Sequence, residues 1–234
     1  MSYTQNLFPL IHCYNVFMSN SLSPIKFIYF DVGGVVIQDF SCTNNFDQML
    51  IDLGLNESND LELFYQLYHQ HEAQLAKGNM SLEQFFSLLM SYLNFTPPPN
   101  YSFMHDFIIR FSPNPSLWPI FYKLRQKQLK LGLLTNMYLG MFPQLQQANL
   151  LPDFDWDVIV DSSLVHLFKP EPEIYHYAQQ QAGVPSDQIL FIDNLSENLD
   201  AAVKLGFQTF LYSSCNYSQS TQQLANFLHQ QKIL

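Results

Sequence analysis

Residues 27–36, Phe27-Ile28-Tyr29-Phe30-Asp31-Val32-Gly33-Gly34-Val35-Val36, decide how this chain is read. A short continuous apolar run is the pattern of a parallel strand buried on both faces. This one ends at Asp31. Open α/β sheets bind their ligands just beyond the carboxyl ends of such strands, so Asp31 stands where chemistry is usually done. The glycines that follow let a ligand approach backbone amides closely.

Three later stretches repeat the pattern: Leu131-Gly132-Leu133-Leu134 before Thr135-Asn136, Val158-Ile159-Val160 before Asp161-Ser162-Ser163, and Ile189-Leu190-Phe191-Ile192 before Asp193-Asn194. Segments 115–128, 172–182 and 196–205 between and after them have helical character. Strands alternating with helices of about 10–15 residues predict βαβ units, hence an α/β fold with a Rossmann-like parallel sheet core. All four polar ends then face one edge of that sheet.

After the glycine turn the pattern changes. Apolar positions recur at helical spacing over 47–53, 60–77 and 81–93, with a further short helix over 101–110. Ser81 with Gln84 makes a capping box, Gly78-Asn79 stops the preceding helix, and Thr96-Pro97-Pro98-Pro99-Asn100 breaks the pattern. The expected organisation is an N-terminal extension over 1–25, a core domain over 26–41 and 113–234, and an inserted helical cap over 42–112. Such an insertion serves as a lid that excludes water, or packs one side of a single core. Its aromatic residues Phe64, Tyr65, Tyr68, Phe85 and Phe86 are read as its own core, and His69 and His71 point to different helix faces rather than to one metal.

The chain has 234 residues and 47% hydrophobic content, ample for a buried core. Its 20 acidic and 10 basic residues give a formal charge of -10, which disfavours nucleic acid and anionic membrane surfaces as partners. A small ligand fits better, and an anionic one needs local neutralisation. Cys13, Cys42 and Cys215 form no CxxC pair and are odd in number, which favours a reducing, cytoplasmic setting. The apolar stretch 7–18 has no Lys or Arg before it and contains His12 and Asn15, unlike a signal peptide or a membrane span. Met18 is an alternative start, which an intact mass settles.

The strand ends supply a coherent donor set. Asp31 and Asp193 would repel one another in a shared pocket unless a cation lay between them, and oxygen-only ligands suit Mg2+. Thr135-Asn136 offers a hydroxyl and an amide, as a phosphoryl ligand or as a helix cap. Lys169-Pro170 precedes a helix that opens with Glu171-Pro172-Glu173. A lysine there opposes the helix dipole, which suits neutralising a bound anion, although a solvated surface lysine is the plain alternative. Glu197 is placed either to support a cation or to complement the dipole of its own helix.

These pieces, in this order, resemble the motifs of the haloacid dehalogenase-like hydrolase superfamily, in particular its phosphatase branch with a helical cap and a glucose-1-phosphatase-like group within it. The first motif is similar to Phe30-Asp31-Val32-Gly33-Gly34-Val35, the second to Leu134-Thr135-Asn136, the third to Lys169-Pro170, and the fourth to Phe191-Ile192-Asp193-Asn194 with Asn198. The resemblance spans about residues 26–212. It implies a Mg2+-dependent hydrolase in which Asp31 attacks the phosphoryl group of a small phosphorylated metabolite and forms an aspartyl-phosphate. It further implies that Asp31, the Gly33 carbonyl and Asp193 hold Mg2+, that Thr135 and Lys169 act on the transferred group, and that Gly34, Thr135, Asn136 and Lys169 bind it.

Two positions depart from the family pattern. Gly33 stands where phosphatases of the superfamily usually carry a second Asp as general acid and base, worth about 10²- to 10⁴-fold in rate. Asn194 stands where another Asp is common. Gly33 suits two other readings, a catalytically silent phosphate-binding protein and a 2-haloacid dehalogenase. The dehalogenase branch resembles a pattern with an arginine soon after the first motif, and 37–50 contains none.

Overall fold

The structure, a computed structural model, describes residues 23–55, 58–93 and 96–234. The expectations for the N-terminal stretch, including Met18 and Cys13, fall on residues outside that set. Strand β1 (Phe27–Phe30) lies at the centre of a five-stranded sheet, and every one of its residues is buried. With β4 (Lys130–Thr135), β5 (Val158–Asp161), β6 (Ile189–Asp193) and β7 (Gln208–Leu211) it forms the order β5-β4-β1-β6-β7, parallel throughout.

A central strand contacts apolar layers above and below, which is why β1 reads as an unbroken apolar run. Ile28 and Phe30 turn to one layer with Leu131, Leu133, Leu190 and Ile192. Phe27 and Tyr29 turn to the other, with Leu134, Phe191 and residues Ile174 and Tyr175 of helix α8 (Pro172–Ala182). Alternate residues on opposite faces are the period of a pleated strand.

Beyond Asp31 the chain reaches β2 (Ile37–Gln38), leaves the sheet layer, and returns at β3 (Ser112–Pro113), which pairs antiparallel with β2. This two-strand neck is too short to announce itself by periodicity. Between its strands lie α1 (Asn45–Asp52), α2 (Ser58–Ala76), α3 (Leu82–Leu93) and α4 (Phe103–Ile109). Ser81 and Gln84 form the expected reciprocal cap: Gln84 N–H donates to Ser81 Oγ at 3.1 Å, and Ser81 N–H donates to Gln84 Oε1 at 2.8 Å.

Phe64, Phe85 and Phe86 are buried, and the Phe64 ring meets those of Phe46, Tyr68 and Phe85 at centroid distances of 5.2–6.1 Å. The apolar cluster of these helices continues without a break into the layer above Ile28 and Phe30. Ser162 Oγ, at the end of β5, donates to the Ala76 carbonyl at 2.6 Å and so ties the end of α2 to the sheet edge.

Cys42, where the chain enters the helices, is joined in a disulfide to Cys215, 173 residues later and just before helix α10 (Tyr217–Gln230). An odd cysteine count still permits one pair, and this pair removes the cysteine argument for a reducing compartment. Among the described residues no helix is long and apolar enough to cross a membrane.

Candidate active site

Because β4, β1 and β6 are neighbours in register, the residues that end them converge. Phe30 lies opposite both Leu133 and Ile192, so Asp31 emerges level with Asp193 on β6 and one residue short of Thr135 on β4. The Asp31 N–H extends the ladder by donating to the Ile192 carbonyl at 2.8 Å. Asp31 and Asp193 are 7% and 0% exposed, and Thr135 is 1% exposed.

Lys169 arrives from the loop before α8 and is itself only 2% exposed. Its Nζ lies 2.9 Å from Asp31 Oδ1 and 2.7 Å from Asp193 Oδ2, and 5.2 Å from the centre of the Phe191 ring. A lysine stem leads inward over apolar surface here, and its ammonium ends between the two carboxylates. The alternative of a solvated surface lysine does not hold for Lys169, because the side chain is buried and its charge is matched by two buried acids.

The loop that carries Lys169 is clamped to the end of β4. Asn136 Nδ2 donates to the Lys169 carbonyl at 2.8 Å, and Lys169 N–H donates to Asn136 Oδ1 at 2.8 Å. The Asn136 side chain, expected on the substrate, thus has both amide atoms on the Lys169 backbone. Asp193 is held by Leu195 N–H at 2.8 Å and by Asn198 Nδ2 at 3.0 Å. Val32 N–H donates to Asp31 Oδ1 at 2.8 Å.

Burial pushes the Asp31 carboxyl up, against the pull of the Lys169 charge and with Asp193 adding to the rise. Lys169 is itself raised: burial works against its charge, but Asp193 and then Asp31 outweigh it. Two acids share one ammonium in a site almost closed to water, and whenever both are ionised one negative charge is left uncompensated, which a further cation would offset.

The donors present are oxygens. Among the described residues no three His, Cys, Asp or Glu are grouped as a metal cage. One or two carboxylates with water and substrate oxygens are what Mg2+ ordinarily takes, so the donor set fits that ion.

Gly34 has φ 72°, and a Cβ there would run into the Asn194 amide, whose Nδ2 donates to Ser41 Oγ at 3.1 Å. Only glycine keeps this turn against the fourth strand end. Asp161, the remaining polar strand end, accepts from Ser163 N–H at 2.9 Å and from Ser163 Oγ at 2.7 Å, capping the short helix α7 (Ser162–Val165). It takes the capping role there.

Sequence reasoning passed over Asp39. A Cβ on Gly33 would lie 2.7 Å from Asp39 Oδ2, and Asp39 Oδ1 accepts from Ser41 N–H at 2.9 Å. Burial pushes the Asp39 carboxyl up, the Ser41 hydrogen bonds oppose this, and Asp193 adds a smaller rise. The signal that could have found it was Gly33 itself, a side chain missing beside a strand-end acid. His69, by contrast, is exposed on α2.

Known proteins resemble this chain over part of its length. A phosphatase of Mycobacterium tuberculosis is 30% identical over 98 residues, 42% of this chain and 45% of that protein. An (S)-2-haloacid dehalogenase of Pseudomonas putida is 28% identical over 87 residues, 36% of this chain and 37% of the other. The chain spans less than half the length of these curated relatives.

Among solved structures, a predicted HAD-like family hydrolase from Porphyromonas gingivalis superposes with a TM-score of 0.68 at 22% identity, over 87% of this chain and 98% of that one. A HAD family enzyme of Bacteroides thetaiotaomicron, in complex with magnesium and inorganic phosphate, gives 0.56 at 18% identity, over 82% and 96%. The family model for haloacid dehalogenase-like hydrolases matches residues 25–206, from just before β1 to the end of α9 (Ser196–Lys204) and the turn after it. With the ends of β1 and β6 meeting around Lys169 and the family model covering most of its length, the chain belongs to the haloacid dehalogenase-like hydrolases.

Proposed function

We propose that this hydrolase is a Mg2+-dependent phosphatase acting on a small phosphorylated metabolite through an aspartyl-phosphate on Asp31. The observation that carries this reading is the buried meeting of Asp31, Lys169 and Asp193 at one sheet edge. Asp31 and Asp193, with the Gly33 carbonyl, would hold Mg2+, which when bound supplies charge neutralisation for the incoming phosphate.

Asp31 is the nucleophile. Hydrogen bonding from Val32 and the ammonium of Lys169 keep one of its oxygens fixed, so the other is free to face phosphorus. The Gly34 backbone and Thr135 hydroxyl bind phosphoryl oxygens, and Lys169 offsets charge on the group in transfer. Asn136 contributes by holding the Lys169 loop in place, a positioning role. The helices of 42–112 act as the cap that excludes water when substrate is bound.

A phosphatase among the relatives and a magnesium and phosphate complex among the structural neighbours support this choice. Dehalogenase relatives and Gly33 favour a second reading, hydrolysis of a 2-haloacid. A panel of phosphate esters, with and without Mg2+, decides between them. Phosphate release is expected only with Mg2+, and Asp31→Asn is expected to lower it by about 10⁴-fold or more, as removal of a nucleophile does. Halide release from 2-chloropropionate without metal, and no phosphate from any ester, would give the second reading. Bound phosphate without turnover of either kind would leave a silent binder.

A further inference from the structure

Gly33 removes the usual general acid and base, yet the space beside it is not empty of carboxylate. The Asp39 Oδ2 atom lies 2.7 Å from where a Cβ of residue 33 would stand. That separation is comparable to the distance from an aspartate's own Cβ to its carboxyl oxygens. A carboxyl oxygen from six residues along the chain therefore sits in the shell that an aspartate side chain on residue 33 would occupy.

The local fold explains how it gets there. The turn through Gly33 and Gly34 folds the chain back, and Gly33 bridges to Ile37, which brings the start of β2 alongside the start of the turn. Ser41 N–H holds Asp39 Oδ1 at 2.9 Å, which leaves Oδ2 directed at Gly33. Asp39 also lines a cavity of about 230 Å³ with Ser41, Arg110 and Tyr217, so its carboxyl is not sealed in the core. A Cβ at position 33 would require the Asp39 carboxyl to turn away, so the glycine is what leaves room for the acid in this place.

We propose that Asp39 is the general acid and base of the phosphoryl transfer, in place of the absent side chain at position 33. The assignment rests on the phosphatase reading above. In the first half-reaction an Asp31 oxygen forms a bond to phosphorus as the ester P–O bond breaks. The Asp39 carboxyl proton passes to the departing oxygen and releases an alcohol. In the second half-reaction Asp39 carboxylate takes a proton from water as that water's oxygen bonds to phosphorus. The Asp31 O–P bond breaks, inorganic phosphate leaves, and both acids return to their starting forms.

The test is leaving-group dependence. For a series of substituted phenyl phosphates, log kcat/KM is plotted against the pKa of the phenol, for wild type, Asp39→Asn, Asp39→Ala and Asp39→Ala with Gly33→Asp. An acid that protonates the leaving group matters most for the poorest leaving groups. Asp39→Asn is expected to steepen the slope, with a loss approaching about 10²- to 10⁴-fold at the poor end and little loss for 4-nitrophenyl phosphate. Gly33→Asp in the Asp39→Ala background, where the added side chain has room, is expected to restore the shallow slope. The slope does not depend on the fraction of enzyme folded, so a merely structural role lowers every ester equally and leaves it unchanged. Parallel lines for wild type and Asp39→Asn would overturn the proposal while the phosphatase reading stands. Absence of phosphate release from every ester by the wild type would sink both.

Discussion

The sheet edge and the helical insertion hold together by different physics. At the sheet edge Asp31, Lys169 and Asp193 are buried ions whose stability depends on mutual geometry. In the insertion Phe64, Phe85 and Phe86 are buried among other aromatic rings, while its ion pairs, such as Arg110 with Asp52 and Asp106, lie nearer the surface. Apolar packing tolerates rearrangement as long as volume is filled, whereas a buried ion without its partner is costly. The strand-end ions are therefore the part locked by charge geometry, whereas the insertion is held chiefly by apolar packing and is tied to the sheet domain by the Lys77–Glu171 ion pair and the Cys42–Cys215 disulfide.

Replacing Lys169 tests the contrast most severely. Lys169→Met leaves two facing carboxylates without their cation, with an expected loss of about 3–5 kcal/mol in denaturant unfolding without divalent metal. Phosphate release should fall at least about 10²-fold, as when one electrostatic stabiliser is removed. Added Mg2+ is expected to recover part of the lost stability, because it binds the folded site and not the open chain. Equal stability with and without Mg2+ would break the comparison at its charged end.

Phe64→Ala is expected to cost a similar amount, about 3–5 kcal/mol, by opening a cavity among rings. Here Mg2+ should recover no more than it gives the wild type, and kcat per folded molecule should stay within a few-fold. A large fall in kcat at full folding would show that the insertion core is coupled to the site.

The smallest effect expected is for Ser81→Ala, which removes one half of the capping box of α3 and costs about 0.5–2 kcal/mol. Hydrogen exchange should loosen near the start of α3 and leave β1 protected. Uniform loosening would mean that the two regions unfold as one.

Much of this was readable from residue order. The apolar runs of β1, β4 and β6 and their polar ends predicted a parallel sheet and the edge at which those polar ends gather, because burial on both faces leaves an unbroken apolar signature. The helices of the insertion and the Ser81 cap followed from period and local chemistry, which depend only on near neighbours. The strand order, the neck of β2 and β3, the Cys42 to Cys215 pair, the Asn136 clamp on Lys169 and the place of Asp39 beside Gly33 did not. Each is a meeting of residues separated in sequence or turned back on a glycine, and side-chain type carries no record of which distant group it will face. Sequence alone determined that acids would end buried strands; the register of those strands and the path of the loops between them decided which acids meet.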